Sequence, residues 1–218
     1  MNRLSYQPFY RRRLPHIQQD YAVIAITFRL AFTLPNEVLI LLRKEKMIYQ
    51  ETINKLEKEE KELYRKSFRK NYYERYDEFL AGIQNDKSYL QNPVFVEIVQ
   101  DCLHYWHNKR YLLYSYCVMP NHVHLLIEPI KNKDNLVFPI SKIMHSIKSY
   151  SANKCNGILK ENKAFWMHEN YDHMVRNEKD FMHEFYYILN NPVKAGLTDD
   201  YQKWPYTYIN QEIFGNDI

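Results

Sequence analysis

Two histidines and a tyrosine pair stand out as residues whose types and spacing can do chemistry. His122 and His124 flank Val123 in the run His122-Val-His-Leu-Leu-Ile-Glu128, whose apolar and β-branched content predicts a strand. Alternate side chains of a strand share a face about 7 Å apart, so both imidazoles can converge on one cation while Val123 points the other way. The same pair also suits two ordinary core or surface histidines. Its place at the start of an apolar strand, where two polar rings would be costly to bury, argues for a ligand pair.

The second constellation is His183-Glu-Phe-Tyr-Tyr-Ile-Leu-Asn-Asn-Pro-Val-Lys-Ala-Gly196. On a helix Tyr187 and Asn191 lie four apart and share a face, so a phenol and a carboxamide would project from adjacent turns. In a chain with 20 tyrosines, Tyr186 and Tyr187 also read as two core aromatics, and Asn191 as a helix-end residue before Pro192.

The elements that must position these groups can be read in order. Tyr21 to Arg29 is a nearly uncharged run that predicts a buried strand. Residues 36–80 shift to Lys and Glu with apolar positions at helical intervals, predicting one or two long amphipathic helices with a solvated charged face. Val94 to His107 predicts a further helix. Tyr111 to Met119, the turn pair Pro120-Asn121 and His122 to Glu128 predict a hairpin. Asn135 to Asn153 predicts a helix, and Phe165 to Val175 a loop feeding a short strand. Glu178 to Asn190 predicts a helix stopped by Asn191-Pro192. Together these predict an α+β antiparallel sheet with helices on one face. Residues 1–218 read as one domain, with 36–80 a helical insertion and 197–218 an irregular tail.

Composition narrows the function. The 4 glycines among 218 residues are far apart, so no Gly-rich loop can wrap a pyrophosphate, which excludes P-loop and Rossmann nucleotide binding. The longest stretch free of Asp, Glu, Lys and Arg, Tyr111 to Ile127, holds two histidines, an asparagine and a proline and cannot span a membrane. Three cysteines without C-x-x-C spacing suit a reducing compartment, and with no signal peptide evident the expected location is cytoplasmic. The net charge is +4. Residues 1–35 carry five arginines against Asp20 alone, so the whole excess sits at the N-terminus. Arg11, Arg12 and Arg13 beside Tyr6, Phe9 and Tyr10 suit contact with a polyanion; such a run also suits a solvated basic tail.

Arg12-Arg-Leu-Pro-His16, Ile26-Thr-Phe-Arg-Leu30, Val118-Met-Pro-Asn-His-Val-His-Leu-Leu126, Phe165-Trp166 with Tyr171-Asp172-His173, and Asn191-Pro-Val-Lys-Ala-Gly196 together resemble the single-tyrosine HUH transposases. The nearest group in pattern is the REP-associated tyrosine transposases of bacteria. The resemblance covers nearly the whole chain in order. It implies a ferredoxin-like α+β fold, a divalent cation held by His122 and His124 and completed by Asn191, and Tyr187 rather than Tyr186 as nucleophile.

The resemblance further implies a DNA transposase or endonuclease that cuts and rejoins single-stranded DNA at hairpin-bearing ends through a 5′-phosphotyrosine link. Single-strand binding asks for cations and stacking platforms, for which Arg11, Arg12, Arg13, His16, Arg29 and Lys194 are the candidates. Imidazole ligands suit zinc and manganese, and phosphoryl chemistry suits magnesium and manganese, so the expected cofactor is divalent, Mg2+ or Mn2+. The chain is expected as a monomer or homodimer with no membrane partner. Two alternatives stand beside this reading: a catalytically idle hairpin-DNA-binding protein of the same fold, and a metal-dependent hydrolase in which Tyr187 is structural.

Overall fold

The computed structural model describes residues 9–11, 15–17, 22–31, 34–83 and 88–215. They divide into two compact units: residues 1–31 with 88–218, and residues 32–87.

The larger unit is built on a five-stranded antiparallel sheet. Its strands are β3 (Ile24–Arg29), β4 (Tyr111–Val118), β5 (His122–Pro129), β6 (Tyr171–Met174) and β7 (Thr207–Ile209), in the spatial order β6-β3-β5-β4-β7. With α3 (Pro93–Trp106) between β3 and β4, and α4 (Ile140–Leu159) between β5 and β6, the first four strands have the ferredoxin-like connection. The predicted hairpin is present: Met119 N–H donates to His122 O at 2.9 Å, closing the chain over Pro120 and Asn121.

The sheet is buried on both faces, and strand alternation sorts its side chains between them. Ile24, Ile26 and Phe28 of β3 and Val123, Leu125 and Ile127 of β5 join Val96, Val99 and Leu103 of α3 and Ile143 and Ile147 of α4 in one cluster. Ala25 of β3, Leu126 of β5 and Cys117 of β4 face the other way, against Phe185, Ile188 and Leu189 of α5 (Glu178–Leu189). Each of these α5 side chains contributes about 1.5–3 kcal/mol on burial. Helices on one face, as the sequence predicts, holds for α3 and α4; α5 covers the opposite face. The periodicity of α5 shows that it has an apolar side but carries no information about which side of the sheet receives it.

On β4 the pairing with β5 shifts between Leu113 and Ser115. This bulge changes the alternation, so that Tyr111, Leu113, Tyr116 and Val118 all enter the α3–α4 cluster.

Local signals set the helix ends. Asn92 Oδ1 accepts from Val94 N at 3.0 Å ahead of Pro93, and Asn177 Oδ1 accepts from Asp180 N at 2.9 Å at the start of α5; both are N-caps. α4 begins at Ile140 rather than at the predicted Asn135, because Asn135 takes a left-handed turn with φ 60° and Pro139 disfavours helical backbone at Phe138. Behind α4 the Lys148 ammonium donates to Met167, His168 and Glu169 carbonyls at 3.1, 3.2 and 3.3 Å. Trp166 Nε1–H donates to Ser151 Oγ at 2.8 Å. These bonds fix the approach to β6.

The predicted irregular tail contributes the edge strand β7. Asn210 Nδ2–H donates to Leu113 O at 2.8 Å and Trp204 Nε1–H to Val118 O at 3.0 Å, one at each end of the β4 partner. Before the sheet, β1 (Phe9–Arg11) and β2 (Pro15–Ile17) form a two-stranded antiparallel pair.

In the smaller unit the one or two long helices that the sequence predicts are two, α1 (Asn36–Lys55) and α2 (Lys58–Gly82). They meet through Tyr49 stacked on Phe68 at 4.1 Å and through the Arg75–Glu45 ion pair. Glu57 and Glu60 form a capping box at the start of α2. Among the described residues no helix is long and apolar enough to cross a membrane.

Cys102, Cys117 and Cys155 are buried and not joined in disulfides, and burial pushes the thiols of Cys102 and Cys155 from 9.0 to about 12. The folded chain therefore keeps protons that the unfolded chain releases. Stability from this source is complete below pH 9 and is lost as pH rises toward 12. Iodoacetamide at pH 8 is expected to leave both thiols unmodified until denaturant is added; mass spectrometry of native alkylated protein checks this, and rapid labelling of either would contradict their burial.

Candidate functional site

His122 and His124 occupy the first turn of alternation on β5, on the face that α5 covers, and both are fully buried. Each ring is held through its Nδ1. His122 Nδ1–H donates to Asn121 Oδ1 at 2.5 Å, and His124 Nδ1 is bonded to Thr27 Oγ1 at 2.8 Å. Thr27 is the directly opposed residue of β3, so a cross-strand hydroxyl sets the His124 ring.

The two Nε2 atoms face each other 3.0 Å apart, a spacing at which a proton or a cation is shared between them. The chemistry of the donor set fits a divalent ion. Imidazole nitrogens that converge on one point in this way can share one ion.

Beside this pair stands Tyr187. Its ring meets that of His124 edge to face, with centroids 6.1 Å apart at 85°. One turn earlier on α5 the His183 ring lies parallel to it at 6.3 Å. Lys194 brings its ammonium to 3.8 Å from the Tyr187 ring centroid, a favourable cation–π distance. Asn191 opens α6 (Asn191–Lys194) directly after the end of α5 and is buried. Its Nδ2–H donates back to the Tyr187 backbone carbonyl at 2.9 Å, which ties the carboxamide to the last turn of α5. Tyr186 is 43% exposed and packs on Phe185 instead.

The other predicted residues fall in different places. Arg29 is buried at the end of β3, opposite His122, and Nη1–H donates to Leu30 O at 3.1 Å. Arg11 lies in β1 and His16 in β2, where His16 pairs with Tyr10; Arg12 and Arg13 lie outside the described residues. The structure thus links His122, His124, Tyr187 and Lys194 by direct contacts, with Asn191 bonded to the Tyr187 backbone and Arg29 at the strand end.

Sequence reasoning did not single out Thr27 and Asn121. The signal was available: each is a polar residue inside an otherwise apolar strand or turn, in the segments Ile26-Thr-Phe-Arg-Leu30 and Met119-Pro-Asn-His122. The arrangement can hold a cation next to a phenol, the combination needed to direct an oxygen nucleophile at a phosphorus.

Residues 72–175 match the family described as Transposase IS200 like. A Haemophilus influenzae protein assigned to the REP-associated tyrosine transposases is 26% identical over 119 residues, 52% of this chain, and the chain spans 65% of that relative. The REP-associated tyrosine transposase of Escherichia coli K12 is 23% identical over 135 residues, 62% of this chain and 76% of the relative. A solved REP-associated tyrosine transposase bound to a REP hairpin aligns over 94% of this chain and 85% of its own, with 16% identity and a TM-score of 0.49. The family match contains the two histidines and ends at Val175, before α5.

Thr27→Val removes the hydroxyl partner of His124 and preserves the strand's β-branched packing. The variant is expected to stay folded and to bind Mn2+ about 10–100-fold more weakly. Calorimetric titration reads this directly, and unchanged affinity would show that the Thr27 bond does not orient a ligand.

Proposed function

We propose, on the premise that this chain is related to the IS200-like transposases through residues 72–175, that it is a transposase acting on single-stranded DNA at hairpin-bearing ends. The observation that carries the reading is the Tyr187 ring standing against His124 of a histidine pair with converging Nε2 atoms.

His122 and His124 would hold a divalent ion, Mg2+ or Mn2+, with Asn191 completing the set; when bound, the ion supplies positive charge to a nonbridging phosphate oxygen. Asn121 and Thr27 keep the ring nitrogens aimed. Tyr187 attacks the phosphorus: its phenolic oxygen forms the new bond, the bond to the 3′ oxygen breaks, and that oxygen leaves as a hydroxyl after taking up a proton. The 5′ end stays on the tyrosine. A 3′-hydroxyl from another strand can then attack the same phosphorus and release Tyr187, so the DNA is rejoined with the bond energy conserved. Lys194 over the ring stands where it can accompany developing negative charge or meet a phosphate. Arg11, Arg12 and Arg13 would contact the DNA backbone.

Tyr187→Phe keeps the ring and its contacts and removes only the attacking oxygen. It is expected to bind hairpin DNA as the wild type does and to form no covalent adduct, whereas Tyr186→Phe retains adduct formation. Peptide mass spectrometry after incubation with Mn2+ and single-stranded DNA from the gene's flanks decides this; a nucleotide on Tyr186 or Tyr171 would move the nucleophile. Replacing Arg11, Arg12 and Arg13 together by Gln is expected to weaken binding and flatten its salt dependence by about one unit of slope per lost phosphate contact. An equal slope would make the segment a solvated tail.

A further inference from the structure

Where α3 ends and β4 begins, the chain holds cations over aromatic faces. Lys109 Nζ lies 3.5 Å from the Tyr105 ring centroid, and the Arg110 guanidinium carbon lies 3.7 Å from that of Trp106. Arg110 also donates to Ser146 Oγ and, at 3.4 Å, to Lys142 O, while its own carbonyl accepts from Ile130 N at 3.1 Å. These bonds draw the start of α4 and the loop after β5, with Lys131 and Lys133, to one corner. Lys109, Lys133 and Lys142 are exposed, and Tyr105 is 58% exposed. The acids nearest in the chain are Asp101, one turn back on α3, Glu128, which accepts from the Tyr114 hydroxyl, and Asp134, against the five cations Lys109, Arg110, Lys131, Lys133 and Lys142, so positive charge prevails.

We infer that this corner is a second DNA contact, which grips the duplex stem of the hairpin at a distance from the cleaved strand. The inference rests on the transposase reading. Tyr111 pairs with Pro129 and Val118 with Val123, so the corner lies at the opposite end of the β4–β5 pair from His122. Seven residue steps of about 3.3 Å separate the two ends by about 23 Å. A duplex advances about 3.4 Å per base pair, so the corner meets DNA about seven base pairs from the histidines. A paired stem has the stiffness to reach that far as one body, and its phosphates match lysines without any call on base sequence. The aromatic backing has its own role: a side chain already lying on a ring loses less rotamer freedom when it engages a phosphate.

The test is binding of the full chain to fluorescent hairpins with stems shorter and longer than about seven base pairs, each carrying the same single-stranded tail, across a salt series. Lys109→Gln, Lys133→Gln and Lys142→Gln combined should weaken binding of long stems at least about tenfold and lower the salt slope by about three. Short stems should bind as with the wild type, and the adduct rate at saturating DNA should not change. Tyr105→Ala, which removes the ring under Lys109, should weaken long stems alone and by a smaller factor. A combined variant matching the wild type at every stem length overturns this inference and leaves the transposase reading standing; so does a loss equal on short and long stems, which would mean general electrostatic attraction. A wild type that binds none of these hairpins overturns both.

Discussion

A slip of one residue between β3 and β5 would turn His122 and His124 into the apolar cluster and push Val123, Leu125 and Ile127 out of it. The register that prevents this is marked by the Thr27 hydroxyl on His124 Nδ1. The apolar alternation and the ring-holding bond demand the same alignment, so the energetics of the core and the geometry of the site are one constraint. The remaining features act on this alignment. Asn121 in the tight turn sets the second ring, and α5 closes over the pair and supplies Tyr187.

The two faces of the sheet carry different duties. The α3–α4 side is an aliphatic cluster sealed by Trp166 and Phe28, edge to face at 4.8 Å. The α5 side mixes aliphatic contacts with buried polar groups, Thr27, Arg29, His122, His124 and Asn191. Burying these costs stability unless each is bonded, and the bonds that satisfy them are also the ones that orient the site. Helix α5, seated on Phe185, Ile188 and Leu189 with Phe181 packed beside them, carries Tyr187 close to that polar floor.

Much of this was legible in the residues. The hairpin around Pro120-Asn121, α3, α5 and the long helices of residues 36–80 follow from periodicity and turn chemistry, which are local. What was not legible depends on partners distant in the chain. The three residues of β7, Thr207, Tyr208 and Ile209, are strand formers in a run too short to predict a strand by itself, and Asn210 and Trp204 tie them to β4, some 90 residues earlier. The side of the sheet chosen by α5 is likewise a tertiary outcome. Within the site, the histidine pair and the relation of Tyr187 to Asn191 could be read from spacing. Thr27 is marked in the sequence only as a polar residue in an apolar strand, and its role comes from the residue it faces; the Lys194–Tyr187 stack arises from the turn of chain between α5 and α6.

The bulge on β4 at Leu113/Ser115 bears on how this chain tolerates changes of length. It acts as a phase shifter: the strand before it and the strand after it keep separate counts of inward and outward positions. A single-residue deletion at Tyr114 would merge the two counts. Tyr116 and Val118 would then keep the side of Tyr111 and Leu113 in plain alternation, whereas a deletion elsewhere in the strand would set its two parts out of phase and expose one set of core side chains on the wrong face. Substitutions along β4 exchange one side chain at a time, whereas a one-residue indel rewrites half a strand, so divergence within this strand is expected by replacement and length variation is expected to collect in the connections outside it.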